Sequence, residues 1–156
     1  MILDPPGLQP SNAAKPKTTS DRARILIADD YQSALQQAVS LLQPHFEIVG
    51  TATDGKTLAE EALRLAPDII VSDILMPGLT GIDAARLLRE SGSSAKIIFL
   101  SVYESEEFVK ACFSEGGSGY VTKARMGTDL VLAINAVLKG QQFISPSVDN
   151  SDSQKR

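Results

Sequence analysis

Short apolar runs rich in Ile and Val alternate along the chain with longer stretches of helical spacing. The runs cover residues 25–28, 48–52, 69–71, 97–100 and 120–121. Short runs of this composition are typical of buried parallel strands. The first run is followed by Leu35, Val39 and Leu42, whose spacing of three and four residues predicts one apolar face of a helix.

The alternation of strand and helix patterns continues along the chain. Helical spacing follows the other runs at Leu58, Ala62 and Leu63; at Ile82, Ala85 and Leu88; at Phe108 and Cys112; and at Leu130, Ile134, Val137 and Leu138. Pro67 and the Gly116-Gly117 pair mark helix ends. Five strand–helix pairs in this order predict an α/β fold, a doubly wound five-stranded parallel sheet with helices on both faces.

Composition and charge change this picture mainly at the two ends of the chain. Residues 1–21 are rich in proline and small polar residues and predict a flexible leader, residues 22–144 form the domain, and residues 145–156 predict a disordered tail. No stretch approaches the roughly 20 apolar residues of a membrane span, and no secretory signal is evident, so we expect a cytoplasmic protein without a membrane segment. The formal net charge of −4 argues against a nucleic-acid binder.

The chain has one cysteine, Cys112, and one histidine, His45. These counts exclude an internal disulfide bond and a Cys/His zinc cluster. Cys112 lies four residues after Phe108 on one face of a predicted helix, and we expect it in the core. His45 follows Pro44 between a helix and a strand, and we expect it in a surface loop.

Polar side chains follow four of the five predicted strands at the point where each strand ends. Asp29 and Asp30 follow the first strand, Asp73 the third, Ser101 the fourth and Lys123 the fifth. Ligands of such a sheet bind beyond the carboxyl ends of its strands, so these side chains are candidates for one site. Taken alone, Asp29 or Asp30 fits a helix N-cap about equally well. Asp73 precedes a loop, and no predicted helix begins close enough for it to cap.

Three carboxylates at one edge of a sheet repel one another unless a cation joins them. Oxygen ligands of this kind suit Mg²⁺, which takes few protein carboxylates and keeps several waters. Lys123 adds a second positive charge, and Ser101 adds a hydroxyl donor. These groups suit phosphoryl transfer, with Asp73 as the nucleophile that forms an aspartyl phosphate and with Mg²⁺, Lys123 and Ser101 holding the phosphoryl oxygens.

Four motifs, in order and at strand ends, resemble a bacterial response-regulator receiver domain. They are IADD, SDILMPGLTG, FLS and GYVTK, which contain Asp29-Asp30, Asp73, Ser101 and Lys123 respectively. The resemblance covers residues 24–144 and implies the flavodoxin-like (CheY-like) form of the predicted sheet.

The resemblance implies a role for each residue of the site. Asp30, Asp73 and the backbone carbonyl of Leu75 are expected to be direct Mg²⁺ ligands, and Asp29 is expected to act largely through water. Asp73 matches the family's phosphoacceptor, and Lys123 matches its phosphate-binding lysine. Ser101 matches the switch hydroxyl, and Tyr120 matches the switch aromatic. Phosphorylation is expected to draw Ser101 inward and to move Tyr120 from a more exposed to a more buried position. Such a protein is not a conventional enzyme, but it is expected to catalyse its own phosphorylation from a phosphohistidine donor and its slow autodephosphorylation.

The expected partner is a sensor histidine kinase or a phosphotransfer protein, and a homodimer is also compatible with the family. The segments SVYESEEF, GGSGYVTK and LKGQQFIS resemble receivers of the LuxR-type (NarL/FixJ) branch. Leu75, Val102 and Ala124 depart from what many receivers have at these positions, where Pro often replaces Ala124. The sequence leaves the isomer of the Lys123–Ala124 bond open.

Two other classes of protein use parts of this pattern. A haloacid-dehalogenase-like phosphatase has a second Asp two residues after its nucleophile, where this chain has Leu75. A flavodoxin-like cofactor module needs a phosphate-cradling loop after the first strand. Here Asp29 and Asp30 occupy that place and would repel a phosphate.

A third alternative is a receiver fragment of a LuxR-type DNA-binding regulator. LuxR-type receivers commonly precede a helix-turn-helix domain, and LKGQQFISPSV resembles the start of the linker to one. Because 12 residues follow Ile144, too few for that motif, we expect no DNA binding from this chain alone. The sequence is equally compatible with a stand-alone receiver and with a fragment.

Overall fold

The computed structural model describes residues 21–146, in which six strands alternate with five α-helices. The strands are β1 (Arg24–Ala28), β2 (Glu47–Ala52), β3 (Ile69–Asp73), β4 (Lys96–Ser101), β5 (Gly117–Thr122) and β6 (Phe143–Ile144). The helices are α1 (Gln32–Leu42), α2 (Gly55–Leu65), α3 (Gly81–Glu90), α4 (Glu106–Ser114) and α5 (Met126–Leu138), with a 3-10 turn at Lys123–Arg125. Within the described part of the chain, no helix is long and apolar enough to cross a bilayer.

All six strands pair in parallel, in the order β2-β1-β3-β4-β5-β6. One apolar cluster lies between the sheet and helices α1 and α5, and a second lies on the opposite face under α2, α3 and α4. Each of the five apolar runs lies within β1 to β5. The predicted doubly wound α/β fold is therefore confirmed, with β6 as an additional strand.

The strand order determines where a ligand site forms. The chain runs from β1 outward to β2 and then returns to place β3 on the other side of β1. The loops after β1 and β3 therefore diverge and leave a crevice between them at the carboxyl edge of the sheet, which is the usual ligand position in this architecture.

The start of α1 decides between the two interpretations of the Asp29-Asp30 pair. Helix α2 begins at a side-chain cap, Asp54, but α1 has Tyr31 at its N-cap position and no side-chain cap hydrogen bond. Asp29 accepts a hydrogen bond from the Tyr31 N–H through Oδ1 at 2.9 Å. Neither aspartate is the N-cap of α1, so both are available to the crevice.

The loop from Asp73 to Gly81 is held close to the end of β3. The Gly81 N–H donates to the carbonyl oxygen of Ile74 at 2.6 Å. A Cβ atom on Gly81 would lie 2.1 Å from the carbonyl oxygen of Asp73, so a glycine is needed at this close approach. The packing of α3 against this loop thus fixes the backbone that presents Asp73.

The chain after α5 differs from the prediction. Ser145, assigned to the disordered tail, is 4% exposed, and its N–H donates to the Tyr120 carbonyl oxygen at 2.8 Å. Ser145 follows β6, a strand too short to produce a periodic pattern in the sequence. The rest of the predicted leader and tail, residues 1–20 and 147–156, lies outside the described residues.

We expect Gly81→Ala to lower the free energy of unfolding by about 1–3 kcal/mol, because the added methyl group forces the loop away from the Asp73 carbonyl. Urea denaturation followed by circular dichroism measures this change. Gly127→Ala is the matched control, since a Cβ at Gly127 in α5 would meet nothing within 4 Å. Equal stability changes in the two variants would contradict the close approach at Gly81.

Candidate functional site

Three carboxylates meet where β1 and β3 end. Oxygen atoms of Asp29, Asp30 and Asp73, one from each, lie within 4.8 Å of one another. Asp29 is buried, Asp73 is partly buried and Asp30 is exposed. The cluster follows from the strand order, since β1 and β3 are neighbours in the sheet. The structure thus brings together all three aspartates selected from the sequence.

Lys123 follows β5 and extends past β4 to these carboxylates. Its Nζ lies 2.7 Å from Oδ2 of Asp29 and 3.4 Å from Oδ2 of Asp73. Burial by itself lowers the pKa of Lys123, but the hydrogen bond to Asp29 and the charges of both carboxylates outweigh it, so the net shift is upward. The ammonium group therefore stays charged. The Lys123–Ala124 peptide bond is trans, which resolves the isomer that the sequence left open.

The surroundings of Asp73 shift the pKa of its carboxyl group. Burial and the charge of Asp29 raise the pKa of Asp73 to about 6, although Lys123 and the Ile74 N–H act in the opposite direction. The Ile74 N–H donates to Oδ1 of Asp73 at 2.7 Å. Burial is the larger cause, so the raised pKa reflects a desolvated carboxyl group beside a second negative charge, an effect that Lys123 offsets only in part.

The side chains of the pocket fit a magnesium ion. Magnesium prefers oxygen ligands and retains several waters, so it needs carboxylates beside an open approach. Asp29 and Asp73 form the buried side of the cluster, and the exposed Asp30 lies on its solvent side. Leu75, whose backbone carbonyl is a predicted ligand, lines the same cavity.

An open cavity of about 430 Å³ lies over the pocket. Its lining joins the charged side chains of Asp30, Asp73 and Lys123 with Ala34 and with the exposed side chains of Tyr31, Leu75, Val102 and Tyr103. Tyr31 and Val102 are 68% and 66% exposed, and they form part of an apolar rim around the carboxylates. The cavity combines a charged floor, which suits a phosphoryl group, with a rim that suits contact with a protein.

Ser101 and Tyr120 are both buried, and Tyr103 connects them. The Tyr103 N–H donates to Oγ of Ser101 at 3.0 Å, and the Tyr120 hydroxyl donates to the Tyr103 carbonyl oxygen at 2.6 Å. The Tyr103 ring stacks on Phe108 of α4, with ring centroids 4.7 Å apart. Tyr103 was not predicted from the sequence, in which its signal is an aromatic residue two positions after a polar strand end.

Tyr120 occupies the buried position that the sequence analysis associates with phosphorylation. The residue is 1% exposed, and burial raises the pKa of its hydroxyl, against the effect of the hydrogen bond with Ser101. Ser101 lies at the end of β4, whose Leu100 pairs with Asp73 of β3. The switch residues therefore begin one strand away from the acidic pocket.

Comparisons with known proteins agree with this geometry. The response regulator receiver domain family matches residues 25–135. Response regulator GacA of Pseudomonas viridiflava is 32% identical over 127 residues, which cover 80% of this chain and 59% of that protein. The chain therefore spans less than two thirds of the length of this relative.

Two solved structures resemble the fold closely. A LuxR-family two-component response regulator from Aurantimonas sp. SI85-9A1 has a TM-score of 0.78 and 30% identity, covering 87% of this chain and 100% of that one. The isolated REC domain of RcsB from Salmonella enterica serovar Typhimurium, in the presence of phosphomimetic BeF3⁻, has a TM-score of 0.75 and 26% identity, covering 83% of this chain and 97% of that one.

The doubly wound sheet with an acidic pocket between β1 and β3 defines a signalling domain of the receiver class. The chain belongs to the response regulator receiver domain family, and its matched region contains every residue of the pocket. It is thus a receiver domain of two-component signal transduction with LuxR-type relatives. Domains of this family generally bind Mg²⁺ in the acidic pocket and interact with histidine kinases or other phosphodonors.

We expect Lys123→Met to lower the free energy of unfolding by about 3 kcal/mol when divalent cations are chelated, because Asp29 is left buried without its partner. Added Mg²⁺ should reduce this loss, since a ligand that binds only the folded state stabilises it. Urea denaturation with and without Mg²⁺ measures both effects. Lys110→Met, at an exposed position of α4, is the control. Equal stability of the two variants in chelator would contradict the role given to Lys123.

Proposed function

We propose that this domain accepts a phosphoryl group on Asp73 from the phosphohistidine of a sensor histidine kinase or a phosphotransfer protein. The observation that carries the proposal is the position of the Lys123 ammonium, 2.7 Å from Asp29 and 3.4 Å from Asp73. An ammonium group at this place compensates charge that accumulates on a phosphoryl group attached to Asp73.

The three aspartates differ in how well they can act as the nucleophile. Asp29 has a side chain only 1% exposed, and it is engaged by Lys123 and by the Tyr31 N–H. Asp30 is exposed to solvent, and no polar contact to Lys123 fixes it. Asp73 lines the cavity with a side chain 13% exposed, so it is both held in place and accessible. This combination favours Asp73.

The transfer itself requires one bond to form and one to break. A carboxylate oxygen of Asp73 forms a bond to phosphorus while the P–N bond of the phosphohistidine breaks, and the electron pair of that bond returns to the imidazole nitrogen. Lys123 holds one phosphoryl oxygen and Ser101 a second. Asp30, Asp73 and the Leu75 carbonyl would hold Mg²⁺, with Asp29 acting through water, and the bound ion would supply the remaining positive charge.

The conformational change that follows phosphorylation then passes through Ser101 and Tyr120. If Oγ of Ser101 turns toward a phosphoryl oxygen, the Tyr103 N–H loses its present acceptor, and the loop after β4 must adjust. That loop also holds the Tyr120 hydroxyl through the Tyr103 carbonyl. A change at Ser101 therefore reaches Tyr120 through Tyr103 as well as through the hydrogen bond between the Ser101 and Tyr120 side chains.

The surface that changes is the face formed by α4, β5 and α5. Cys112 is the fully buried residue of α4, and Phe108, Val109 and Phe113 are only partly buried beside it. Helix α4 thus has fewer fully buried residues than α3 and α5, which favours movement of this helix. Moving a two-state population from 1:99 to 99:1 takes roughly 5.5 kcal/mol. One charge-assisted hydrogen bond supplies only about 1.5–3 kcal/mol, so the contact with Lys123 and the binding of a partner, or of a second copy, must contribute the rest.

A second candidate function is favoured by the greater length of the relatives. The chain covers 59% of GacA, and one similar structure is described as a DNA-binding response regulator of the LuxR family. On this proposal the chain is the receiver part of a cytoplasmic LuxR-type regulator and does not bind DNA by itself. Sequencing the gene beyond codon 156 tests it, since a continuing reading frame with a helix-turn-helix supports this candidate and a stop codon contradicts it.

We expect Asp73→Asn to abolish phosphorylation, because the amide keeps the shape of the side chain but is not a nucleophile. The protein is incubated with Mg²⁺ and acetyl phosphate or a phosphorylated histidine kinase, and intact mass is measured. Asp54→Asn is the matched control, since asparagine also serves as an N-cap and α2 should be preserved.

Full labelling of the Asp73→Asn protein would show that the nucleophile is misassigned. Ser101→Ala provides a separate test of the switch. This variant should still be labelled on Asp73, while the phosphorylation-dependent shift of the Tyr120 amide in NMR spectra becomes smaller. Identical shift changes in wild type and Ser101→Ala would contradict the role of Ser101.

A further inference from the structure

The segment after α5 is fastened to β5 by a small buried polar network. We name residues Phe143–Ser145 the strap. The Ser145 N–H donates to the Tyr120 carbonyl oxygen at 2.8 Å, and Oγ of Ser145 donates to Oδ2 of Asp129 at 2.6 Å. The Thr122 N–H in turn donates to Oγ of Ser145 at 3.3 Å. One serine therefore joins the strap both to β5 and to α5.

Asp129 is a buried carboxylate that accepts one of its hydrogen bonds from the strap. It lies in the first turn of α5 and is 3% exposed. Burial by itself would raise the pKa of Asp129, but hydrogen bonds from Arg125, Ser145 and Thr128 outweigh it and lower the pKa. Because a buried carboxylate without partners is costly, release of Ser145 must alter the contacts of this network.

The same network is attached to the turn that carries Lys123. Arg125, in the 3-10 turn Lys123–Arg125, donates from Nε to Oδ2 of Asp129 at 2.8 Å. Thr122, directly before Lys123, contacts Ser145. Thr122 thus contacts the strap directly and Arg125 contacts it through Asp129, so displacement of the turn has a route to residue 145 on each side of Lys123.

The strap also lies beside Tyr120. Ile144 is the cross-strand neighbour of Tyr120, and both side chains line a cavity of about 260 Å³ between α4 and the strap. Residues that are in register on neighbouring strands place their side chains on the same face of the sheet. An outward movement of the Tyr120 ring past the edge of β5 must therefore pass the place now held by Ile144.

From these contacts we propose that the strap docks on β5 when Tyr120 is buried and detaches when Tyr120 moves outward, so that phosphorylation of Asp73 controls the order of the chain after α5. The inference rests on the proposed phosphorylation of Asp73. It assigns Ile144 and Ser145 as positioning residues of the switch, which act through Tyr120 and the Lys123 turn. A two-residue strand suits this task because its few contacts open without unfolding the sheet.

Coupling of this kind is reciprocal. If a phosphoryl mimic in the pocket strengthens docking of the strap by some factor, then docking of the strap strengthens binding of the mimic by the same factor. Couplings between distinct sites are typically about 5–150-fold, which is within the range of amide hydrogen exchange. The reciprocity provides two independent measurements on one chain.

In the first measurement, NMR is used to measure the rate of hydrogen exchange of the amide at position 145 in the full chain. The rate is compared between samples with Mg²⁺ alone and samples with Mg²⁺ plus beryllofluoride. We expect beryllofluoride to slow this exchange by at least about fivefold. The second is the beryllofluoride concentration that half-saturates the Asp73 amide shift, which should rise by a similar factor in Ser145→Ala and in Ile144→Ala. Ser93→Ala, in the turn before β4 at the opposite edge of the sheet, should behave as wild type.

The two proposals fail in distinguishable ways. If the Asp73 amide shift responds to beryllofluoride but exchange at position 145 is unchanged, or if Ser145→Ala and Ile144→Ala both bind beryllofluoride as wild type does, the strap is not coupled to the switch. If beryllofluoride leaves the Asp73 amide unaffected in wild type, the proposed function fails and the inference fails with it.

Discussion

The contact of the Lys123 ammonium with Asp29 and Asp73 is the interaction on which the arrangement of this domain depends. It requires a parallel order in which β1 and β3 are neighbours and β5 lies two strands beyond β3, so that acids and base end at one edge. It also requires the close approach of Gly81 to the Asp73 backbone, which holds the loop below the pocket. The apolar clusters on both faces keep these strands in register.

The same contact explains why the pocket is suited to a charged ligand. Lys123 places one ammonium group beside the three clustered carboxylates, and burial together with the charge of Asp29 raises the pKa of Asp73 to about 6. A divalent cation and a phosphoryl group bring opposite charges, and together they change the balance around Lys123. Lys123 lies next to Thr122 and in the same turn as Arg125, and both of these residues belong to the polar network that holds Ser145.

The sequence predicted the features that depend on the hydrophobic period of the chain and on the position of polar residues at strand ends. Buried parallel strands are short apolar runs whose ends can be located in the sequence, so the first five strands along the chain and the cluster of Asp29, Asp30, Asp73 and Lys123 were all predicted. Contacts that depend on the path of the backbone were not predicted from the sequence. Tyr103 acts through its own N–H and carbonyl, and the strap relies on one buried serine at the end of a two-residue strand. Leu63 and Leu138 were assigned to buried helix faces but are 50% and 43% exposed, because each directly follows the residue that completes the apolar face.

The most direct test of this account is the affinity of the pocket for Mg²⁺, since the excess of carboxylates over lysine is its central claim. Amide shifts of the residues around Asp73 are followed by NMR as Mg²⁺ is added to wild type, to Asp30→Asn and to Asp54→Asn, which removes the same charge outside the pocket. The account predicts saturable binding in wild type and in Asp54→Asn, and a loss of at least about tenfold in Asp30→Asn. Equal affinity in all three proteins, or no saturable binding in wild type, would contradict it.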